Sequence, residues 1–218
     1  LEAAKDVAAE FINGRPNDNI GITLFAGETF TQCPLTVDHA VLLDMIHNIK
    51  CGLITDGTAV GMGIANAVTR LKDSKAKSKV IILLTDGTNN KGDISPMTAA
   101  EIAKSFGIRV YTIGVGTNGM APYPYPVGNT VQYVSMPVEI DEKTLTEIAG
   151  TTDGNYFRAT SNSKLKEVYE EIDKLEKTKL NVKEYSKRDE EYHWFALAAF
   201  LCVLLEVLLR NSVLKKIP

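Results

Sequence analysis

Two short segments carry the oxygen donors that could do chemistry: Thr55-Asp56-Gly57-Thr58 and Thr85-Asp86-Gly87-Thr88. The second follows the apolar run Val80-Ile81-Ile82-Leu83-Leu84. That order predicts Asp86 at the carboxyl end of a central parallel strand, where open α/β sheets hold their ligands. The first segment precedes a helical run from Ala59 to Val68, which predicts Thr58 at a helix N-terminus. A carboxylate and a hydroxyl so placed are hard oxygen ligands suited to Mg²⁺, Mn²⁺ or Ca²⁺. The same residues also suit ordinary turn and cap chemistry, since Asp-Gly is a frequent turn pair and Thr a routine N-cap. Spacing alone leaves both readings open.

Other chemistries fit less well. A phosphatase of the haloacid-dehalogenase type uses a D-x-D-G-T loop, but Ile54 and Leu84 stand where both copies would need the nucleophilic Asp. A phosphoacceptor receiver domain needs an earlier acidic pair and a later Lys, neither of which can be placed. No G-x-x-x-x-G-K-[ST] run is present, and Gly57 to Gly63 lacks the G-x-G-x-x-G spacing after a strand. His39 and His47 fall on one helix two turns apart, too far to form a compact ligand pair. Cys33, Cys51 and Cys202 show no C-x-x-C spacing, and Cys33 and Cys51 read as buried or partly buried thiols without an activating partner. No catalytic apparatus emerges, and no enzymatic activity is expected.

The elements that must position Thr58 and Asp86 alternate between β-rich and helical runs. Strands are predicted at Ile20–Phe25, Thr29–Gln32, Lys79–Thr85, Arg109–Val115 and Asn155–Phe157. Helices are predicted at Leu1–Asn13, Asp38–Ile49, Ala59–Leu71, Pro96–Ser105, Glu142–Ala149 and Ser163–Glu176. Asp38, Ser95-Pro96 and Ser161 or Ser163 supply helix-entry chemistry. The implied fold class is α/β, a doubly wound, mainly parallel sheet flanked by helices. Thr117–Val138, with Pro122, Pro124, Pro126 and Pro137 and tyrosines at 123, 125 and 133, reads as a long loop and a candidate recognition segment.

The ends of the chain differ from its middle. Leu1 opens directly into a helix, as in a chain missing its beginning. From Tyr192 onward, roughly 18 predominantly apolar residues are long enough to span a bilayer, with Tyr192 and Trp194 suited to the interface. Glu206 lies near Arg210, where it can reach the headgroups or pair at i, i+4. The expected organisation is a domain over residues 1–178, a juxtamembrane linker over 179–191, a transmembrane helix over 192–210 and a short tail over 211–218. Flanking charges do not settle the orientation of so large a domain.

With the layout in view, the sequence resembles a von Willebrand factor A domain, and within that family the membrane-anchored Bat aerotolerance-type members. The resemblance rests on Asn19-Ile20-Gly21-Ile22, Phe25-Ala26-Gly27-Glu28, Thr31-Gln32-Cys33-Pro34-Leu35-Thr36, Asp56-Gly57-Thr58-Ala59-Val60-Gly61, Leu83-Leu84-Thr85-Asp86-Gly87 and Gly114-Val115-Gly116-Thr117. Pro137-Val138-Glu139-Ile140-Asp141-Glu142, Tyr156-Phe157-Arg158-Ala159-Thr160 and the terminal apolar segment extend it. The resemblance implies a Rossmann-like sheet and a metal-ion-dependent adhesion site. That site is built from a D-x-S-x-S motif, a Thr that falls on Thr58 and an Asp that falls on Asp86.

The D-x-S-x-S motif occurs nowhere in the chain, and in the family it lies just upstream of the helix that begins here at Leu1. The resemblance therefore implies an incomplete site lacking the first strand. Mg²⁺, or Mn²⁺ or Ca²⁺, is expected in the intact parent, and weak or absent binding in this chain.

Composition limits the partners. The 218 residues are 44% hydrophobic and 23% charged, with net charge −3 and pI near 5.7. That balance suits a globular core and excludes a nucleic-acid-coating or polybasic membrane-binding protein. The expected function is a membrane-tethered module that binds a protein partner within a bacterial envelope complex. The membrane contact would run through residues 192–210, with neither nucleic acid nor small-molecule substrate. The resemblance favours a bacterial inner-membrane location with the domain in the periplasm. The alternative is a metal-independent interaction scaffold.

Overall fold

In chain order the polypeptide forms α1 (Glu2–Asn13), β1 (Ile20–Phe25), β2 (Thr29–Thr36), α2 (His39–His47), α3 (Val60–Leu71), β3 (Lys79–Thr85), α4 (Pro96–Ser105), β4 (Ile108–Val115), β5 (Gly119–Val127), β6 (Thr130–Val138), α5 (Glu142–Thr151), β7 (Tyr156–Ala159) and α6 (Asn162–Tyr185). The computed structural model describes residues 1–116, 119–127, 130–138 and 140–185, together with Leu197, Ala199, Val203, Glu206 and Val207. Leu1–Lys177 form one compact unit and Thr178–Pro218 another.

Helix starts follow the local chemistry. Asp38, Ser95 and Asp141 each accept a backbone N–H from three residues on, at 3.2, 3.1 and 3.0 Å. These bonds satisfy donors that a helix cannot satisfy internally. α1 ends at Gly14, whose N–H returns to Glu10. The expected boundaries hold to within a few residues, except that β2 runs on to Thr36 and α6 continues to Tyr185, into the stretch expected as linker.

β4 pairs in parallel with β3 on one side and β7 on the other. Val110, Tyr111, Thr112 and Ile113 are all fully buried, the last two between β3 and β7. One face packs with α3, α4 and α5 through Ile64, Val68, Ala99, Ala103 and Ile148, and the other with α1 and α6 through Val7, Leu165 and Ile172. This is the doubly covered parallel sheet that the apolar runs require.

β3 departs from its expected central place. Among the described residues it is the edge of a three-stranded sheet ordered β3-β4-β7, while β1 and β2 form a separate antiparallel pair. β1 and β3 do not pair with each other, so each leaves one edge open. Both end at the amino end of α3: Ala59 N–H donates to Ala26 O just beyond β1, and the loop after β3 bonds Thr58. The two strands therefore run the same way. α3 packs against Phe25 of β1 and Ile81 and Leu83 of β3, while α1 packs with Ile20 and Ile22 through Ile12 and, through Val7, belongs to the cluster against which Val80, Ile82 and Leu84 pack. Two helices thus bridge a break in the sheet. Val80, Ile82 and Leu84 remain only half-buried, whereas Tyr111 and Ile113, the β4 partners of Ile82 and Leu84, are fully buried.

Thr117–Val138, expected as a loop, contains an antiparallel hairpin in which β5 pairs with β6 from Gly119↔Val138 to Val127↔Thr130. Prolines suggested a loop, but their alternate spacing is compatible with a strand on its non-bonding side. Cys33 is buried against Leu42 and Ile46. Cys51, expected at least partly buried, is instead exposed because it follows α2 in a surface turn. Among the described residues no helix is long and apolar enough to cross a membrane. The expected span over 192–210 lies outside the described residues, apart from five helical positions, Leu197, Ala199, Val203, Glu206 and Val207, all exposed.

Candidate functional site at the carboxyl end of β3

Asp86 follows the last residue of β3 and is exposed, at the strand end expected for a ligand residue. Thr85, buried, shapes its turn: the Thr85 hydroxyl accepts from Gly87 N–H at 3.3 Å. Thr58 stands immediately before Ala59, the N-cap of α3, and is half-buried. The fold brings the two T-D-G-T segments together, since a Cβ added to Gly87 would stand 3.3 Å from Thr58 Oγ1. Gly27 N–H donates to Thr55 O at 2.8 Å, which ties the end of β1 to the same cluster.

Ala59 offers no side chain to cap α3, and two residues of the β3–α4 loop do so from a distance. Asn90 Oδ1 accepts Thr58 N–H at 2.9 Å, and Asn89 Oδ1 accepts Val60 N–H at 2.8 Å. In return Asn90 and Lys91 N–H both donate to Thr58 O, at 3.0 and 3.3 Å. The two loops interlock so closely that a Cβ on Gly61 would stand 2.1 Å from Ile94 O. Sequence reasoning missed Asn89 and Asn90. Their only local signal is an Asn pair after Asp-Gly-Thr, which reads equally well as a turn.

Donor count decides whether these residues hold a divalent cation. Mg²⁺ takes about six oxygen ligands and Ca²⁺ six to eight. Thr58 and Asp86 supply two side-chain donors, and no group of three His, Cys, Asp or Glu residues is poised for a metal among the described residues. The amino end of α3 also presents the positive end of its dipole, which opposes a cation. The pair therefore does not make a cation site by itself.

His39 and His47 sit at opposite ends of α2, each bonded to a backbone carbonyl, of Asp18 and Leu43 respectively. A groove lies elsewhere, between α1 and α6, lined by Val7, Phe11, Arg15 and Tyr169 among others.

The family model for the von Willebrand factor type A domain matches residues 1–171. The crystal structure of the conserved hypothetical protein BatB from Bacteroides thetaiotaomicron is similar at 33% identity, with TM-score 0.70 over 81% of this chain and 88% of that one. An aerotolerance-related membrane protein from Bacteroides fragilis is similar at 29% identity, with TM-score 0.69 over 79% of this chain and 86% of that one. Proximal thread matrix protein 1 from the mussel byssus, solved with a zinc-occupied MIDAS motif, is similar at 25% identity, with TM-score 0.61 over 80% of this chain and 40% of that one. The chain spans 52% to 64% of the length of the first curated bacterial relatives it matches.

Proposed function

The chain belongs to the von Willebrand factor type A family, and from that premise we propose that it is a protein-interaction module of a Bat-like membrane protein rather than an enzyme. Its binding face is the carboxyl end of β3. There Thr58 and Asp86 are two donors of a divalent-cation site, and the remaining donors come from a strand outside this sequence.

The observation that carries this reading is the break between β1 and β3. Two parallel-running strands with open edges, bridged by α1 and α3, leave place for one more parallel strand. A parallel strand there would end beside Asp86, Thr58 and Gly27. The site would then gain the carboxylate and hydroxyl ligands that donor counting finds missing, with an open position for an acidic side chain of the protein partner. The zinc-occupied motif of the mussel protein supports a divalent metal at this place in the fold. Among candidate ions Mg²⁺ is the first choice, with Mn²⁺ and Ca²⁺ as alternatives of the same hard-oxygen chemistry.

The apolar stretch over 192–210 tethers the module, and the membrane description of the Bacteroides fragilis neighbour supports that assignment. The location that follows is a bacterial inner membrane with the domain on the periplasmic side.

Calorimetric titration with Mg²⁺ and Mn²⁺ tests the site, on this chain and on one extended at its amino end by its natural upstream segment, each with and without Asp86→Ala. Binding by the extended chain that Asp86→Ala abolishes is expected. Absence of binding in every form would favour a metal-independent scaffold, with Thr58 and Asp86 serving only as loop and turn residues.

A further inference from the structure

The β5–β6 hairpin has one edge closed by its sequence and one left open. Its ladder runs without interruption from Gly119↔Val138 to Val127↔Thr130, through Pro122, Pro124 and Pro126 on one strand. In an antiparallel pair, residues alternate between those that exchange N–H···O bonds with the partner strand and those whose N–H and C=O point away. Proline has no N–H to give. An unbroken ladder through three alternate prolines therefore requires all three at outward positions.

The outer edge of β5 consequently lacks a donor at 122, 124 and 126, which blocks the addition of a further strand. The register carries the same parity to β6. Pro122↔Ser135, Pro124↔Tyr133 and Pro126↔Val131 are outward pairs, so Val131, Tyr133 and Ser135 turn N–H and C=O to the free side. Pro137, opposite Met120, ends that run of donors. The result is an open edge of five residues centred on Tyr133.

Two further observations bear on what covers it. The hairpin pairs with no other strand among the described residues, and an isolated two-stranded ribbon is marginal in water. Exposed edges are usually protected by charge, often lysine. Yet Thr117–Val138 contains no Asp, Glu, Lys or Arg, in a chain that is 23% charged. Two copies can meet there without like-charge repulsion.

We propose that β6 is a self-association edge, pairing antiparallel with β6 of a second copy about a two-fold axis through Tyr133. Val131 of one copy then lies opposite Ser135 of the other, Tyr133 opposite Tyr133, and the two hairpins join into a four-stranded sheet ended on both sides by proline-blocked β5. The pairing uses neither Thr58 nor Asp86. It is measured in EDTA, where loss of the metal reading leaves it untouched.

The test uses the full chain in dodecyl maltoside, by sedimentation equilibrium and by cysteine trapping in a Cys51→Ser, Cys202→Ser background. A hydrogen-bonded antiparallel pair holds its Cα atoms about 5.5 Å apart, within disulfide reach. Tyr133→Cys should cross-link readily, whereas Val131→Cys, displaced four residues from its counterpart, should not. Tyr133→Pro removes one outward N–H, keeps the inner ladder and should weaken association at least tenfold with an unchanged far-ultraviolet spectrum. A wild-type chain that stays monomeric overturns the proposal, even if it captures an extended peptide from another protein. So does equal cross-linking at 131 and 133, or a Tyr133→Pro chain that associates as wild type does.

Discussion

Asn90, 32 residues from Thr58 in sequence, accepts the Thr58 backbone N–H through Oδ1 at 2.9 Å and returns its own N–H to Thr58 O at 3.0 Å. This reciprocal pair makes the loop after β3 and the start of α3 a single structural piece. It fixes Thr58 relative to Asp86 without any direct bond between them.

Removing that clasp has a measurable cost. Asn90→Ala removes the acceptor of the Thr58 N–H just before α3 and should destabilise the chain by about 0.5–1.5 kcal/mol, the range for one hydrogen bond. Asn90→Asp, which keeps the acceptor, should recover most of it. Urea denaturation gives the stability, and amide exchange at Thr58 separates loss of the clasp from general loosening. Protection at Thr58 that is equal in wild type and Asn90→Ala would contradict the role.

At the opposite end of the sheet, Glu176 of α6 is almost fully buried and accepts from Tyr111 Oη at 2.6 Å, from Ser78 Oγ at 2.8 Å and from Arg109 Nη2. Burial pushes its carboxyl up, but the three hydrogen bonds and the Arg109 charge outweigh it and hold the pKa below the ordinary 4.5. Glu176→Ala leaves Arg109 without its carboxylate and should cost about 2–3 kcal/mol.

The same network sets a pH dependence. Because the folded pKa lies below the unfolded one, the stability from Glu176 is fully present above the unfolded pKa and is lost as pH falls through the folded one. The stability difference between wild type and Glu176→Gln should therefore be constant near neutrality and shrink below about pH 4.5. Urea midpoints measured in acid check this, and a difference that grew on acidification would reverse the sign.

The open edge of β3 predicts an exchange pattern. Alternate amides along Lys79–Thr85 face β4 and should be protected, while those between them face the break and should exchange quickly. Amides of β4 from Thr112 onward, where it is flanked by both β3 and β7, should approach the protection of global unfolding. Uniform protection along β3 would mean that the edge is covered.

Thiol reactivity distinguishes the two described cysteines. Burial pushes the Cys33 thiol up and shields it, whereas Cys51 is exposed. A thiol reagent should label Cys51 in the native chain and reach Cys33 only as the chain unfolds. Prompt labelling of Cys33 would indicate that the packing of β2 against α2 is loose.

Much of this protein was legible in its sequence. The Val80–Leu84 run is apolar enough to require burial, Asp38 and Ser95 mark helix starts by accepting from three residues on, and the two T-D-G-T segments flag the end of β3 and the start of α3. These features depend on periodicity and caps, whose partners lie within a turn or two of chain. The family match over residues 1–171 agrees with that local reading.

Tertiary structure decided what lies farther apart. Asn89 and Asn90 became caps for α3 because packing brought a loop about thirty residues away onto its amino end. Glu176 became a buried acceptor because α6 returned across the start of β4. β3 carries the sequence of a strand buried on both faces, yet it stands at an edge because pairing is a property of neighbours and not of the strand. In Thr117–Val138, prolines that locally suggest a loop stand in a ladder because their register turns every missing N–H outward. Hydrogen-bond partners separated by tens of residues are fixed only by the folded arrangement, which is why composition and spacing could not supply them.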